Sequence, residues 1–481
     1  MAKRKESRRA RNHDGKKRGD YRKQPINGQT LRAAVSWIAD ARIFDHLKRH
    51  GNTSWRTADL IMLTVVWVWS DKTTLTGAFS EAQHWSIKVL GRAAVSTYQG
   101  LLGALVTWTG TLLPLIWCRL QDFMHEHGEA HWRVGLWMAL AVDGSRVTVP
   151  RTKDNERAFC APNYGKGQTA KYRKKKTQGK RVRKKAKEKM QPVKPQIWIT
   201  LMWHMGMQMP WSWQSGPSNS SERDHFGQIL REQKFPENTM FCADAGFVGY
   251  DLWKEILDQG HSFLIRVGAN VTLLRKLGHV RERDGIVYYW PDHAARKKQP
   301  PLVLRLLHFR LGKCNVYLVT NVLNQKLLSD KQAIKLYQLR WGVELQFRTM
   351  KQTFGRRKLR CKTPDRALVE LDWSLLGLWM IQLFAVKEQI EIGEVPEHCS
   401  VSLAIAVVRR TFQRWSEHPT PQDAFHAQLQ AATKDNYQRR GSKKARYRPD
   451  YKDKPSAGKP KILTATREHK SRLVLYLNTA A

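Results

Sequence analysis

Apolar residues recur at helical spacing through the first part of the chain, from about residue 31 to residue 130. This spacing predicts an all-helical N-terminal region, 31–130. Its segment 74–106 is compatible with a helix-turn-helix that offers Ser96, Thr97 and Gln99 to base edges in the major groove. The same short polar residues also cap helices, so the two interpretations stay open.

Two apolar stretches raise the question of a membrane span. Ala93 to Cys118 is uncharged, but it contains threonines, a glutamine and Pro114. We predict buried helices separated near Pro114 instead. The run 373–386 is too short to cross a bilayer and predicts a core helix.

After residue 131 the pattern changes to short apolar runs bounded by turn residues, which is typical of strands. GLWMALAVDGSRVTVP predicts a buried strand ending at Asp143, a turn at Gly144 and a second strand. The following segments alternate in type: PQIWITLMWHMGM and MPWSWQSG as a hairpin, Ser220–Gln233 as a helix, TMFCADAGF as a strand ending at Asp244, Tyr250–Leu257 as a helix and SFLIRV as a strand. Such an order predicts an α/β domain with a mixed sheet and helices on its faces.

The domain is expected to span 131–390 and to include a β-rich insertion, 269–327, where three strand-like segments are joined by charged turns. A helical pattern resumes at Asp330 and continues to about residue 390. Residues 391–481 predict C-terminal helices followed by a basic tail.

The charge balance indicates a polyanionic partner. The chain has 481 residues, with 84 Lys and Arg against 41 Asp and Glu, a net charge of +43 and a pI near 10.3. Its positive charge lies in polar tails and a loop, not beside an apolar helix face, so nucleic acid fits better than a membrane surface. Six widely spaced cysteines and an N-terminus without an apolar segment indicate a reducing cytoplasm, where the protein would associate with the nucleoid.

Three segments concentrate this charge. Residues 1–30 form a basic tail expected to be disordered, and the loop 164–192 contains the run Lys166–Lys189 with a single acid. From Lys434 onward, basic residues alternate with tyrosines. Each segment either contacts DNA or is merely a solvated loop or tail.

Tyr337, Arg340, Glu344 and Lys351 lie at intervals of three, four and seven residues in YQLRWGVELQFRTMK, which places them on one helical face. One carboxylate among cations and a phenol suits a surface that holds a divalent metal and a DNA phosphate together. A solvated face with ion pairs would show the same spacing. Trp341 either stacks on a base or sugar or packs in the core.

Two further acids complete a candidate metal site. Asp143 and Asp244 end predicted strands, where side chains leave the core at a sheet edge. With Glu344 they are predicted to bind two Mg²⁺ ions, or Mn²⁺ in their place, about 3.5–4 Å apart. Each Asp taken alone would also suit a turn before glycine.

The chain resembles bacterial insertion-sequence transposases of the DDE class, in the family marked by a Tyr-x2-Arg-x3-Glu-x6-Lys signature. AVDGS and ADAGF match the family's two aspartate motifs, and residues 269–327 match its β-rich insertion; the resemblance covers about 31–390. It implies an RNase H-like catalytic domain with Asp143, Asp244 and Glu344 as Mg²⁺ ligands. The basic loop 164–192 is a departure from the family's pattern, and the resemblance implies no role for it.

The same resemblance implies that Tyr337, Arg340 and Lys351 contact phosphates at the transposon end. The protein would bind terminal inverted repeats, cut the DNA and join the 3′-hydroxyl to target DNA, as a homodimer because two ends must meet. Two rivals stay open: a non-catalytic nucleic-acid-binding protein, and a metal-dependent nuclease that cuts without joining.

Overall fold

The computed structural model describes residues 55–160, 194–282, 285–311, 314–414, 422–435 and 458–480, together with short stretches between 35 and 53. The predicted basic tail 1–30 and basic loop 164–192 lie outside the described residues, as does the segment 436–457.

Every described element before residue 133 is helical, as predicted. The elements are α1 (Ala41–Phe44), α2 (Thr57–Trp69), α3 (Leu75–Leu90) and α4 (Tyr98–Trp132). Thr97 is the N-cap of α4, and its hydroxyl accepts a hydrogen bond from the Gly100 amide at 3.0 Å. Of the two interpretations of this segment, capping therefore holds for Thr97.

The predicted break near Pro114 is wrong, because α4 continues through it. A proline inside a helix removes one backbone hydrogen bond, but the flanking Leu112 and Ile116 are fully buried and hold the helix against the core. Non-helical backbone occurs further along, at Gly128.

The predicted turn at Gly144 is also wrong. One strand, β1 (Met138–Thr148), runs through Asp143 and Gly144 without interruption. It stays extended because β2 (Gln196–His204) pairs with it from Leu140 to Thr148, and Gly144 lies opposite Thr200. Asp143 is therefore a mid-strand residue.

The remaining elements of the sheet core follow the predicted order. They are α5 (Lys153–Phe159), β3 (Met209–Gly216), α6 (Glu222–Glu232), β4 (Thr239–Ala243), α7 (Tyr250–Asp258) and β5 (Ser262–Val267). Strands β1, β2 and β3 form an antiparallel meander, whereas β4 and β5 join β1 in parallel. The parallel steps need crossover helices, which α6 and α7 provide.

Residues 269–327 are rich in strands, as predicted. They contain β6 (Thr272–Arg275), β7 (Ile286–Tyr289), α8 (Asp292–Arg296), β8 (Leu302–Leu311) and β9 (Cys314–Thr320). This segment is continuous with the central sheet, since β9 pairs antiparallel with β5. The described strands form one ten-stranded sheet in the order β10-β6-β7-β8-β9-β5-β4-β1-β2-β3, in which β10 (Lys461–Thr464) comes from the C-terminal part of the chain.

Helices then cover the sheet. They are α9 (Asp330–Leu339), α10 (Trp341–Arg348), a π-helical turn (Thr349–Thr353) and α11 (Pro364–Glu391). Helix α11 is the predicted core helix, although it extends beyond 373–386, and Trp373 donates a hydrogen bond to the Thr109 hydroxyl of α4. The C-terminal part adds α12 (Val401–Arg414), α13 (Gln422–Gln430), β10 (Lys461–Thr464) and α14 (Arg467–Ala480). The strand β10, parallel to β6, was not predicted.

Two described helices have the length and composition of a membrane span, α4 and α11. In the most apolar window of α11, 94% of the residues are buried within this chain, against 33% in α4. Helix α11 is therefore a core helix of this fold, and α4 packs on it.

Candidate active site

Asp143 and Asp244 are brought together by two neighbouring parallel strands. Val142 in β1 is paired with Ala243 in β4, so each aspartate is the next residue along its strand. Asp244 follows the last residue of β4, and its Oδ1 accepts a hydrogen bond from the Gly246 amide at 2.7 Å. The two aspartates therefore lie side by side where β4 ends beside the middle of β1.

Glu344 comes from the helices after the sheet. Helix α9 begins with a capping box of Ser329 and Gln332, and the chain bends at Arg340 before α10. Arg340 Nη2 donates to Glu344 Oε1 at 2.9 Å. The charges of Arg340 and Glu344 both act on the Asp143 carboxyl, Arg340 lowering its pKa and Glu344 raising it.

The position of Lys351 depends on a change from α-helix to π-helix after Arg348. It lies in the π-helical turn, where one more residue is wound into the turn than in an α-helix. Its ammonium donates to the Ser145 hydroxyl at 2.5 Å, two residues after Asp143 on β1. The structure thus brings Lys351 to the aspartate strand.

Burial is the main cause of the raised pKa of Asp143. Burial raises the pKa of its carboxyl to about 7, with a further contribution from the nearby Asp244, and the Arg340 guanidinium opposes this. In the folded protein the neutral carboxyl is therefore favoured well above the pH at which a free aspartate ionises.

Arg340 is an unusual cation for a protein interior. The residue is only 7% exposed, and its Nε is buried without a hydrogen-bond partner among the described residues. A buried donor left unpaired costs free energy. The guanidinium of Arg340 has several N–H groups, of which one on Nη2 already donates to Glu344. Because Nε is closed to solvent in this structure, an anionic oxygen from a ligand would reach it only after neighbouring side chains move.

The two aromatic candidates differ in exposure. Tyr337 is buried at 7% exposure, its ring lies 5.4 Å from the Arg340 guanidinium, and its hydroxyl is hydrogen-bonded to Arg266. Burial raises the Tyr337 pKa. Trp341 is 56% exposed, so the core interpretation is wrong.

One carboxylate near Asp244, Glu222, was not predicted from the sequence. It begins α6 after the N-cap Ser221 and lies next to Gly144 and Gly246. Burial and the charge of Asp244 raise the Glu222 pKa, whereas Arg146 opposes them. An acid in the first turn of a helix is common, so the sequence contained no signal that would distinguish it.

The oxygen donors fit a hard divalent cation, but they do not form a ready-made cage. Across the described ranges, no three His, Cys, Asp or Glu side chains are gathered closely enough to hold a metal ion. Like charges repel when no cation lies between them, and the Arg340 bond keeps Glu344 to one side. Side-chain movements would be needed for all three carboxylates to share one ion.

Residues 138–380 match the model of a family described as "Transposase DDE domain". This match covers half of the chain, and the chain belongs to that family. The expected resemblance to bacterial insertion-sequence transposases is confirmed.

Two similar proteins give the comparison in numbers. Transposase InsG for insertion sequence element IS4, from Escherichia coli (strain K12), is 27% identical over 293 residues, which is 58% of this chain and 59% of that protein. The match thus spans about three fifths of the relative's length. A cryo-EM structure of piggyBac transposase in a synaptic complex with hairpin DNA has a TM-score of 0.36 and 13% identity, covering 86% of this chain and 84% of that chain.

Proposed function

We propose that this protein is a DNA transposase. It would bind the terminal inverted repeats of an insertion sequence, cut the DNA there by metal-dependent hydrolysis and join the freed 3′-hydroxyl to target DNA. The observation that carries the proposal is that Asp143 and Asp244 follow paired residues on neighbouring strands, and that the charge of Glu344, bonded to the buried Arg340, acts on Asp143. Membership of the transposase DDE domain family supports it.

We further propose that the sheet core is RNase H-like. Its strands β3-β2-β1-β4-β5 combine an antiparallel meander with two parallel steps, and the first Asp lies on the central strand. The proposed domains are a DNA-binding helical region, 31–130, a catalytic domain, 131–390, and a C-terminal region, 391–481, with basic tails and the loop 164–192 as further DNA contacts.

Asp143, Asp244 and Glu344 would hold two Mg²⁺ ions, for which Mn²⁺ can substitute. When bound, the ions lower the pKa of an attacking hydroxyl and stabilise the leaving oxygen. All-oxygen ligands are those Mg²⁺ prefers. Burial raises the pKa of the Asp143 carboxyl, and the neighbouring Asp244 adds to this, so a bound cation would favour its ionised form.

The protein's own residues would orient the scissile phosphate. Arg340 can keep Glu344 on Nη2 and offer Nε to a phosphate oxygen, and Lys351 supplies a point charge next to β1. The Tyr337 ring supports the guanidinium, and exposed Trp341 can stack on a base or sugar.

In hydrolysis, water attacks phosphorus, the bond from phosphorus to the 3′-oxygen breaks, and that oxygen leaves as the 3′-hydroxyl. In strand transfer, this hydroxyl attacks a target phosphodiester, so one phosphorus–oxygen bond forms as another breaks. No external energy source is required. Because two element ends must be joined, we propose a homodimer on DNA, acting in the cytoplasm at the nucleoid.

Labelled element ends, supercoiled plasmid and Mg²⁺ test the proposal with wild type and Asp244→Ala. We expect wild type to give cut and joined products, and the variant to bind DNA with similar affinity but to give neither. Nicked DNA without joined products would indicate a nuclease. DNA binding without any Asp244-dependent cleavage would indicate a non-catalytic binding protein.

A further inference from the structure

We propose that Glu222 is a fourth carboxylate ligand of the metal site between Asp143 and Asp244. This inference rests on the proposed function, because it adds a residue to the same site. Glu222 differs from the three predicted carboxylates in coming from α6, the helix that connects β3 to β4.

Two glycines make room for the Glu222 carboxylate. A Cβ placed on Gly144, next to Asp143, would lie 2.3 Å from Glu222 Oε1. A Cβ placed on Gly246 would lie 3.4 Å from Glu222 Oε2 and 2.9 Å from Asp244 Oδ1. One carboxylate therefore reaches the backbone beside both aspartates, in a space that any larger residue would fill.

Glu222 is held there by two contacts of α6. One turn further along the helix, His225 Nδ1 is 3.1 Å from the Thr200 hydroxyl, and Thr200 is the residue paired with Gly144. Arg223 donates to the Val248 carbonyl at 2.8 Å, which ties the helix to the segment after Asp244. The helix is thus anchored to both aspartate-bearing segments, so the position of Glu222 follows theirs.

The charges around Glu222 favour a cation over an internal ion pair. Glu344 has Arg340 as a direct partner at 2.9 Å. Arg146, the cation that acts on Glu222, has its guanidinium stacked 4.1 Å over the Trp198 ring. Among the carboxylates of the site, the pair Asp244 and Glu222 is therefore the part where a divalent ion gains most.

Mn²⁺ binding to the full-length protein without DNA tests this directly, by calorimetry or electron paramagnetic resonance. Glu222→Gln keeps the size of the side chain and removes its charge. Asp224→Asn is the matched control, because it removes one negative charge from the same helix turn at an exposed position. We expect Glu222→Gln to bind Mn²⁺ about tenfold more weakly and Asp224→Asn to bind as wild type does.

Mn²⁺ binding to Asp143→Asn distinguishes a failure of the Glu222 proposal from a failure of the proposed metal site. If Asp143→Asn weakens Mn²⁺ binding and Glu222→Gln does not, the fourth ligand is refuted and the proposed function stands. If wild type binds no Mn²⁺, or Asp143→Asn leaves binding unchanged, the proposed metal site itself is refuted.

Gly144→Ala supplies a second, independent variant. Its added methyl would displace the end of the Glu222 side chain, so we expect Mn²⁺ affinity to fall by about tenfold, as for the charge removal. In a Glu222→Ala background the same substitution should change nothing. An equal loss in both backgrounds would overturn the inference, and circular dichroism would confirm that each variant is folded.

Discussion

Asp143→Asn is expected to stabilise the metal-free protein at pH 8, although it removes a proposed catalytic group. Burial and the neighbouring Asp244 hold the Asp143 pKa at about 7, against 3.8 for a free side chain. At pH 8 the folded protein must therefore keep an ionised carboxyl where a neutral one is preferred. Asparagine has nearly the same shape and no charge.

The size of the effect follows from this shift. One pKa unit corresponds to about 1.4 kcal/mol, so the penalty for ionised Asp143 approaches about 4 kcal/mol. Partial relaxation of the site reduces it, and we expect a gain of about 2–4 kcal/mol in the free energy of unfolding.

The pH dependence of the free energy of unfolding tests the direction of this effect. Because the folded pKa is raised, the folded protein binds the extra proton between about pH 4 and pH 7. The stability contributed by protonated Asp143 is complete below pH 4 and is lost as the pH rises through 7. The difference between variant and wild type should therefore be near zero at pH 4 and largest at pH 8.

Urea unfolding in EDTA at several pH values, followed by tryptophan fluorescence, measures this difference. Repeating the pH 8 measurement with Mg²⁺ should stabilise wild type, since the ion binds only the folded, ionised site, and should leave Asp143→Asn nearly unchanged. A variant less stable than wild type at pH 8, or a difference that does not vary with pH, would refute the reasoning.

Asp372→Asn is the matched control. Burial also raises the Asp372 pKa to about 7, and its Oδ1 accepts a hydrogen bond from Trp213 Nε1 at 2.8 Å, which an asparagine oxygen can keep. This control should gain stability at pH 8 as well, yet its response to Mg²⁺ should equal that of wild type. A loss of the Mg²⁺ response in both variants would mean that the response does not report the proposed site.

Three further predictions test the helices that carry Glu344. Arg340→Lys should lower DNA cleavage at least about tenfold while DNA binding changes little, because an ammonium cannot hold Glu344 and a phosphate in the fixed fork of a guanidinium; full cleavage activity would contradict this. Gly342→Ala should lower the free energy of unfolding by about 1–3 kcal/mol in urea, since its Cβ would lie 1.8 Å from the buried Trp203 ring, and wild-type stability would show that α10 can move away. Trp341→Ala should change stability by less than about 0.5 kcal/mol but weaken DNA affinity about fivefold or more in a binding titration, and unchanged affinity would exclude a stacking role.

Much of the fold follows from local patterns. Short apolar runs identified β2 to β5 and the helices between them, because turn residues bound each run. The errors came from tertiary contacts. Gly144 suits a turn by itself, but the pairing of β1 with β2 keeps it extended. Likewise, Pro114 weakens α4 locally, and packing of its neighbours against the core outweighs the loss.

The sequence predicted those parts of the candidate site in which residue spacing along a helix places side chains on one face. It did not predict the parts that depend on contacts between segments far apart in the sequence. The intervals from Tyr337 to Glu344 are enough, by helical geometry alone, to place three side chains together. The π-helical turn at Lys351 and the approach of Glu222 to Gly144 depend on how helices pack on the sheet. No pattern within either helix indicates such an approach.

Arg340 explains how the proposed site tolerates its charge before it meets a substrate. Asp143, Asp244 and Glu344 repel one another, and Arg340 is a buried cation that acts on both Asp143 and Glu344. If Arg340 had to leave Glu344 to bind DNA, that carboxylate would lose its partner as the negative phosphate arrives. Once side-chain movement opens the unpaired Nε to solvent, this conflict is removed, because one guanidinium can hold a carboxylate oxygen and a phosphate oxygen through separate N–H groups. Phosphate binding then keeps the existing ion pair, and the added negative charge increases the attraction for divalent cations at the aspartates.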